Sequence, residues 1–222
     1  MKKWIVPSVI VVVLVLAAAF ATSVLLKDTQ KSSESAKTAD TAPSAESAES
    51  AATEGTASEK HHVNIEVEDY GTISAELDAD AAPITVANFL DLAGSGFYDG
   101  LTFHRIIDGF MIQGGDPLGN GTGGSDKTIK GEFKSNGVDN PISHTRGTIS
   151  MARSSDKDSA SSQFFIVQSD STFLDGDYAA FGEVLEGMDI VDKICKDAMP
   201  LDSNGAIAAD KQPVIKKIEV ID

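Results

Sequence analysis

From Val63 onward, apolar side chains fall on every second position: Val63, Ile65 and Val67, then a turn at Asp69-Tyr70-Gly71, then Ile73, Ala75 and Leu77. A period of two puts such residues on one face of a strand, so the pattern predicts an antiparallel hairpin with one buried face. Pro83, followed by Val86, Phe89, Leu90 and Ala93 at helical spacing and by Gly94 and Gly96, predicts a helix laid over apolar strands. Further strands are expected at 102–107, 111–114, 148–152, 163–167, 180–184 and 214–220, with a second helix near 188–195. Many strands and few helices predict a mainly β fold, an antiparallel barrel whose closure removes exposed edges.

Upstream the chain changes character twice. Residues 1–26 carry Lys2 and Lys3 ahead of an uncharged, predominantly apolar run from Trp4 to Leu26, long enough for a helix to cross a ~30 Å hydrocarbon core. The run reads as a transmembrane anchor, since apolar residues continue through Val24, Leu25 and Leu26. The alternative is a signal peptide cleaved near Ala21, where Ala19-Phe20-Ala21 fits a small-x-small site. The leading lysines place the remainder of the chain outside the cytoplasm. Residues 27–60 are built almost wholly of Ser, Ala, Thr, Glu, Lys and Asp, with no aromatic or large aliphatic side chain, and are expected to form a disordered linker. Residues 61–222 form the folded domain, expected to be monomeric.

The formal net charge of −16 disfavours nucleic acid as a partner, because neutralising phosphates needs clustered Lys and Arg. Cys195 is the only cysteine, which excludes an internal disulfide, a CxxC redox pair and a cysteine-rich zinc site. It sits on an apolar helical face with Ile190, Val191 and Ile194 and reads as a buried, inert thiol. His61, His62, His104 and His144 lack zinc-type spacing with carboxylates, and GNGTGG at Gly119 to Gly124 lacks the lysine of a phosphate loop. No metal and no cofactor is expected. His104 should face away from Arg105 and pack in the core.

The window FHRIIDGFMIQGGD, Phe103 to Asp116, gathers an arginine, aromatics, a methionine, an amide and paired glycines. Strict alternation would place Phe103 with Arg105 on one face and Met111 with Gln113 on another, an apolar surface meeting a cation and an amide. With SSQFFIV at Ser161 to Val167, NGTGG at Asn120 to Gly124, GTISMA at Gly147 to Ala152, FLDG at Phe173 to Gly176 and AFGEVLEGMDIVDKI at Ala180 to Ile194, the chain resembles the cyclophilin family of peptidyl-prolyl isomerases from about His61 to Asp222. The resemblance implies a closed eight-stranded antiparallel barrel capped by two helices, with the ligand groove on its outer wall. It also implies that the partners are proline-containing segments, here of exported proteins, and that the loops of 116–146 flank the groove.

A prolyl peptide bond resists rotation by ~18–20 kcal/mol because nitrogen donates its lone pair into the carbonyl. Catalysis then needs a donor aimed at the pyramidalising nitrogen and a pocket gripping the ring, with no nucleophile or metal. Arg105 suits the donor role, since its guanidinium is a rigid, permanently charged fork, and the resemblance assigns it that role. The resemblance further assigns Phe110, Met111 and Phe165 to the proline pocket, Gln113 to orienting substrate and Arg105, Gln163 to a polar contact, and Leu174 to the apolar side. Gly121, Ala152, Arg153, Ser154, Phe173 and Tyr178 complete the substrate-binding set. Phe164 and Phe165, being adjacent on a strand, should point to opposite faces, one into the core and one into the groove.

Three positions depart from many eukaryotic members: Phe173 for tryptophan, Tyr178 for histidine and Arg153 for asparagine. Phe173 has no indole N–H, which argues for weak binding of cyclosporin, the family's cyclic-peptide inhibitor. Arg153 adds a second cation beside the groove and so bears on substrate charge preference. The altered rim also encourages an alternative function, a module that holds proline-containing segments with turnover incidental.

Overall fold

The computed structural model describes residues 59–221. Strands β1 (Lys60–Val67), β2 (Gly71–Asp78), β3 (Phe103–Ile107), β4 (Met111–Gly114), β5 (Thr148–Met151), β6 (Phe164–Val167), β7 (Ala180–Glu186) and β8 (Ile215–Val220) form one antiparallel sheet. Its order is β3-β4-β6-β5-β7-β2-β1-β8. Helix α1 spans Pro83–Gly94 and helix α2 Met188–Asp197. The expected anchor and nearly all of the expected linker lie outside the described residues, and among the described residues no helix is long and apolar enough to cross a membrane.

The predicted hairpin is β1 with β2, in register from Lys60 opposite Asp78 to Val67 opposite Gly71. Its alternation is one-sided: Val63, Ile65, Val67, Ile73, Ala75 and Leu77 are all buried, while their neighbours are half-buried or exposed. Strands β5 and β6 are buried at every position: Ile149, Met151, Phe164 and Ile166 meet the core, Phe165 and Val167 a second apolar cluster, while Thr148 and Ser150 bond to the Ser143 carbonyl and to His144. Unmatched residues in β8 (Lys216), β7 (Leu185 and Phe181) and β3 (His104) shift the register and bend the sheet, since a residue unmatched in its neighbour increases local twist.

The sheet is open, with β3 and β8 at its ends; it is not the closed barrel that the resemblance implies. A single bridge, Thr102 with Val214, links the two ends, and the Phe103 amide donates to the Pro213 carbonyl at 2.9 Å. Pro213 has no N–H to return a bond, which stops a full ladder from forming there.

Pro83 occupies the first turn of α1, where a missing N–H costs nothing. No local side chain caps this helix. Its first amides instead donate to the buried Glu132 carboxylate, Ile84 at 3.1 Å and Thr85 at 2.8 Å, joined by the Thr85 hydroxyl at 2.7 Å. Phe89 anchors the helix in the core, its ring 5.1, 5.3 and 5.2 Å from those of Tyr98, Phe164 and Phe181. Helix α2 starts after Gly187, which has φ 97° and no room for a Cβ against Ile73. Its buried face is Val191, Ile194 and Cys195, and burial pushes the thiol up to about 12.

Candidate active site

Two adjacent phenylalanines divide the inside of the sheet from its outer wall. Phe164 belongs to the main core, whereas Phe165 joins Met111 and Val167 in a separate outer cluster, with Ile107, Phe110, Ala152, Leu174 and Tyr178 packed against it. This is the alternation expected of the pair, and it supplies an apolar cluster outside the main core. Met111 and Phe165 are 1% and 5% exposed, so the cluster is built of held side chains.

Arg105 borders that cluster because β3 bulges. Pairing with β4 passes from Phe103 opposite Gly114 to Arg105 opposite Gln113, leaving His104 without a partner in β4. Phe103 therefore points into the core, where its ring lies 6.1 Å from that of Phe164, while Arg105 turns outward to Met111 and Gln113. The expectation that Phe103 and Arg105 share a face fails for this reason: strict alternation does not survive an extra residue. His104 is buried at 4% exposure, with neither ring nitrogen hydrogen-bonded. Burial lowers its pKa, against the pull of Asp116.

A directed chain of hydrogen bonds runs across the strands. Arg105 Nη1 donates to Gln113 Oε1 at 3.1 Å, Gln113 Nε2 to Gln163 Oε1 at 2.9 Å, and Gln163 Nε2 to the Gly123 carbonyl at 2.7 Å. Guanidinium can only donate, so Gln113 must present its oxygen to Arg105 and its nitrogen onward. On the other side Arg105 Nε donates to the Asn204 carbonyl at 2.8 Å. Burial pulls the pKa of Arg105 down, opposed by Tyr178 and Asp202, yet a guanidinium stays protonated throughout any working range. Among the described residues Nη2 has no acceptor, so two N–H groups of a partly desolvated cation are left for a ligand.

The loop after β4 is shaped by Asp116, whose buried carboxylate accepts the amides of Leu118, Asn120 and Gly121 at 2.8, 3.1 and 2.6 Å. Burial pushes this carboxyl up, but the backbone donors outweigh it and hold the group below the usual range. Gly121, at φ 86°, lies over His104: a Cβ there would stand 3.6 Å from the imidazole Nε2.

On the rim, the Phe173 ring is 73% exposed and lies 5.6 Å from that of Phe110, and Leu174 packs on the outer cluster. The Ala152 amide donates to the Gln163 carbonyl at 3.0 Å, which ties its backbone to the amide chain. Arg153 does not stand free as a second cation. Its guanidinium covers the rings of Tyr178 and Phe133, at 4.8 and 5.0 Å, and donates to the Asp177 carbonyl through Nε and Nη2. Ser154 is exposed and turned toward Ser159, its hydroxyl 2.8 Å from that of Ser159. Asn204 and Gly123 act through backbone carbonyls, which carry no signal in a residue's identity, and the buried His144 behind Phe165 likewise went unassigned.

Residues 62–220 match the family described as cyclophilin type peptidyl-prolyl cis-trans isomerase/CLD. The chain belongs to the cyclophilins. It is 50% identical over 123 residues to peptidyl-prolyl cis-trans isomerase B of Bacillus subtilis, covering 55% of this chain and 82% of that one. It is 49% identical over 129 residues to peptidyl-prolyl cis-trans isomerase A of Dickeya dadantii, covering 56% of this chain and 66% of that one. Among solved structures, the Cryptosporidium parvum cyclophilin type isomerase superposes with a TM-score of 0.65 at 30% identity, over 74% of this chain and 99% of that one. A second structure of that protein, in the presence of the dipeptide Ala-Pro, gives 0.64 at 32%, over 72% and 99%. This cyclophilin is thus an enzyme of prolyl cis–trans isomerisation.

Proposed function

We propose that the domain isomerises Xaa-Pro bonds by gripping the proline ring in the hollow of Phe110, Met111, Phe165 and Leu174 while Arg105 donates to the proline nitrogen. That nitrogen becomes a good acceptor only when the bond twists and its lone pair leaves the carbonyl. A donor held there therefore favours the twisted state over either planar isomer. The observation that carries this reading is the chain from Arg105 through Gln113 to Gln163, which holds the guanidinium beside an apolar pocket and leaves Nη2 with donors to spare. Gln163 and the backbone at Gly121, Ala152, Arg153 and Ser154 receive the flanking peptide.

The substrates are proline-containing segments of exported proteins, and the domain works outside the cytoplasm as a monomer. The apolar run at 4–26 behind two lysines, followed by a polar linker with a reach of roughly 30 Å, supports this placement. No metal or cofactor takes part.

The experiment is exchange spectroscopy on a peptide containing one Ala-Pro bond, with and without the purified protein at substoichiometric amounts. Catalysis shows as cis–trans exchange faster than the uncatalysed tens of seconds. Saturable binding with no gain in exchange would support the alternative, a holding module, and overturn the isomerase reading.

A further inference from the structure

Behind the pocket lies a buried histidine that the mechanism above does not use. His144 is fully buried, and its ring stacks on Phe165, with centroids 6.1 Å apart and planes inclined by 17°. Tyr178 meets the same ring edge-on at 6.5 Å. The imidazole is held at both nitrogens, Nδ1 lying 2.8 Å from Asp175 Oδ1 and Nε2 2.9 Å from the Ser150 hydroxyl. Asp175 Oδ1 also accepts the His144 amide at 2.7 Å, and Oδ2 accepts the Ser143 hydroxyl at 2.6 Å.

These bonds fix the tautomer of the neutral ring. A carboxylate can only accept, so Nδ1 carries the proton, and bare Nε2 accepts from Ser150. They also tie three walls of the groove to one side chain. Ser150 stands opposite both Phe165 in β6 and Ala180 in β7. Asp175 directly follows the 3-10 turn Thr172–Leu174, which carries Phe173 and Leu174 on the rim. The Ser171 amide donates to the His144 carbonyl at 2.7 Å, a second tie between that turn and the histidine.

We propose that His144 is a positioning residue for the isomerase: clamped between Asp175 and Ser150, its ring sets Phe165 and Tyr178 at the depth that grips proline and holds the Phe173–Leu174 rim over them. The proposal rests on the groove assigned above. Burial, opposed by Asp175, keeps the ring neutral into mildly acid solution. The titratable groups facing it are Asp175 and Tyr178, while β5 and β6 bring Ser150 and Phe165, which are uncharged. A second proton would fall on Nε2, reverse the bond so that Ser150 accepts, and leave a buried cation against Phe165 and Tyr178.

The test measures kcat and KM separately on an Ala-Pro peptide for wild type, His144→Gln, His144→Leu and Asp175→Leu, with Arg105→Ala as control. Circular dichroism checks the fold of each. Gln carries both a donor and an acceptor, so His144→Gln should retain wild-type kcat/KM to within about threefold. His144→Leu should lose about tenfold, chiefly through a raised KM, and Asp175→Leu, which removes the acceptor of Nδ1, should lose a similar amount. Wild-type kcat/KM in folded His144→Leu and Asp175→Leu, or His144→Gln no better than His144→Leu, would overturn the proposal. A second measurement needs no variant: in wild type the rise of KM on acidification should follow the His144 imidazole titration seen by NMR, and a KM flat through that titration would equally overturn it. An inactive wild type would instead refute the isomerase reading, and a fully active Arg105→Ala would refute the donor role.

Discussion

Gln113 receives the Arg105 guanidinium on its oxygen at 3.1 Å and passes a hydrogen bond from its nitrogen to Gln163 at 2.9 Å. The amide therefore sets the aim of the cation, and this relationship can be broken without touching the charge. Gln113→Leu keeps the size and removes both bonds. Hydrogen bonds to charged groups contribute about 1.5–3 kcal/mol, so kcat/KM should fall roughly 10- to 100-fold with little change in unfolding midpoint. Steady-state kinetics and urea denaturation of the variant check this; unchanged kcat/KM would show that Arg105 needs no such aim.

Acid should destabilise the domain before its carboxylates titrate. Burial lowers the folded pKa of both His104 and His144 below the ordinary 6.5. Above 6.5 both rings are neutral whether the chain is folded or not, and they add no pH dependence. Below it the unfolded chain binds protons that the folded rings refuse, so stability falls with pH until the lowered folded values are reached. Each ring can contribute up to ~1.4 kcal/mol per pH unit in that window. The urea midpoint should drop as the pH falls below about 6.5, and His104→Phe should make the drop shallower. A midpoint constant over this range would contradict the buried neutral state of both rings.

Phe173 lies open on the rim beside Phe110, with no donor on its ring. Wild type should bind cyclosporin weakly, and Phe173→Trp should tighten binding by ~1–2 kcal/mol, about one order of magnitude, by adding an indole N–H and more apolar face. Isothermal titration of both proteins decides it. Tight wild-type binding left unchanged by the substitution would show that this position does not control affinity.

How much of this was legible in the sequence follows the physics of each signal. The β1–β2 hairpin, both helices and the split between Phe164 and Phe165 are local patterns of period two or 3.6, and they read directly. The β3 bulge did not, because an extra residue depends on what the neighbouring strand offers, and so the faces of Phe103 and Arg105 were assigned together. The cap of α1 came from Glu132, far along the chain, and the ligand of Arg105 Nε from the carbonyl of Asn204; neither depends on local spacing. Arg153 read as a second cation beside the groove, and nothing local tells that Phe133 and Tyr178 converge on it. Membership of the cyclophilins was legible through the resemblance, while the supports of the candidate site were tertiary.

The central claim is that Arg105 stabilises the twisted prolyl bond rather than the fold. Comparing kcat/KM for an Ala-Pro peptide between wild type and Arg105→Ala, with the thermal midpoint of each, tests it most directly. One well-placed donor lost from a transition state costs ~2–4 kcal/mol, so activity should fall by roughly 30- to 1000-fold while the midpoint moves by only a few degrees. A folded Arg105→Ala protein with near wild-type kcat/KM would contradict the mechanism.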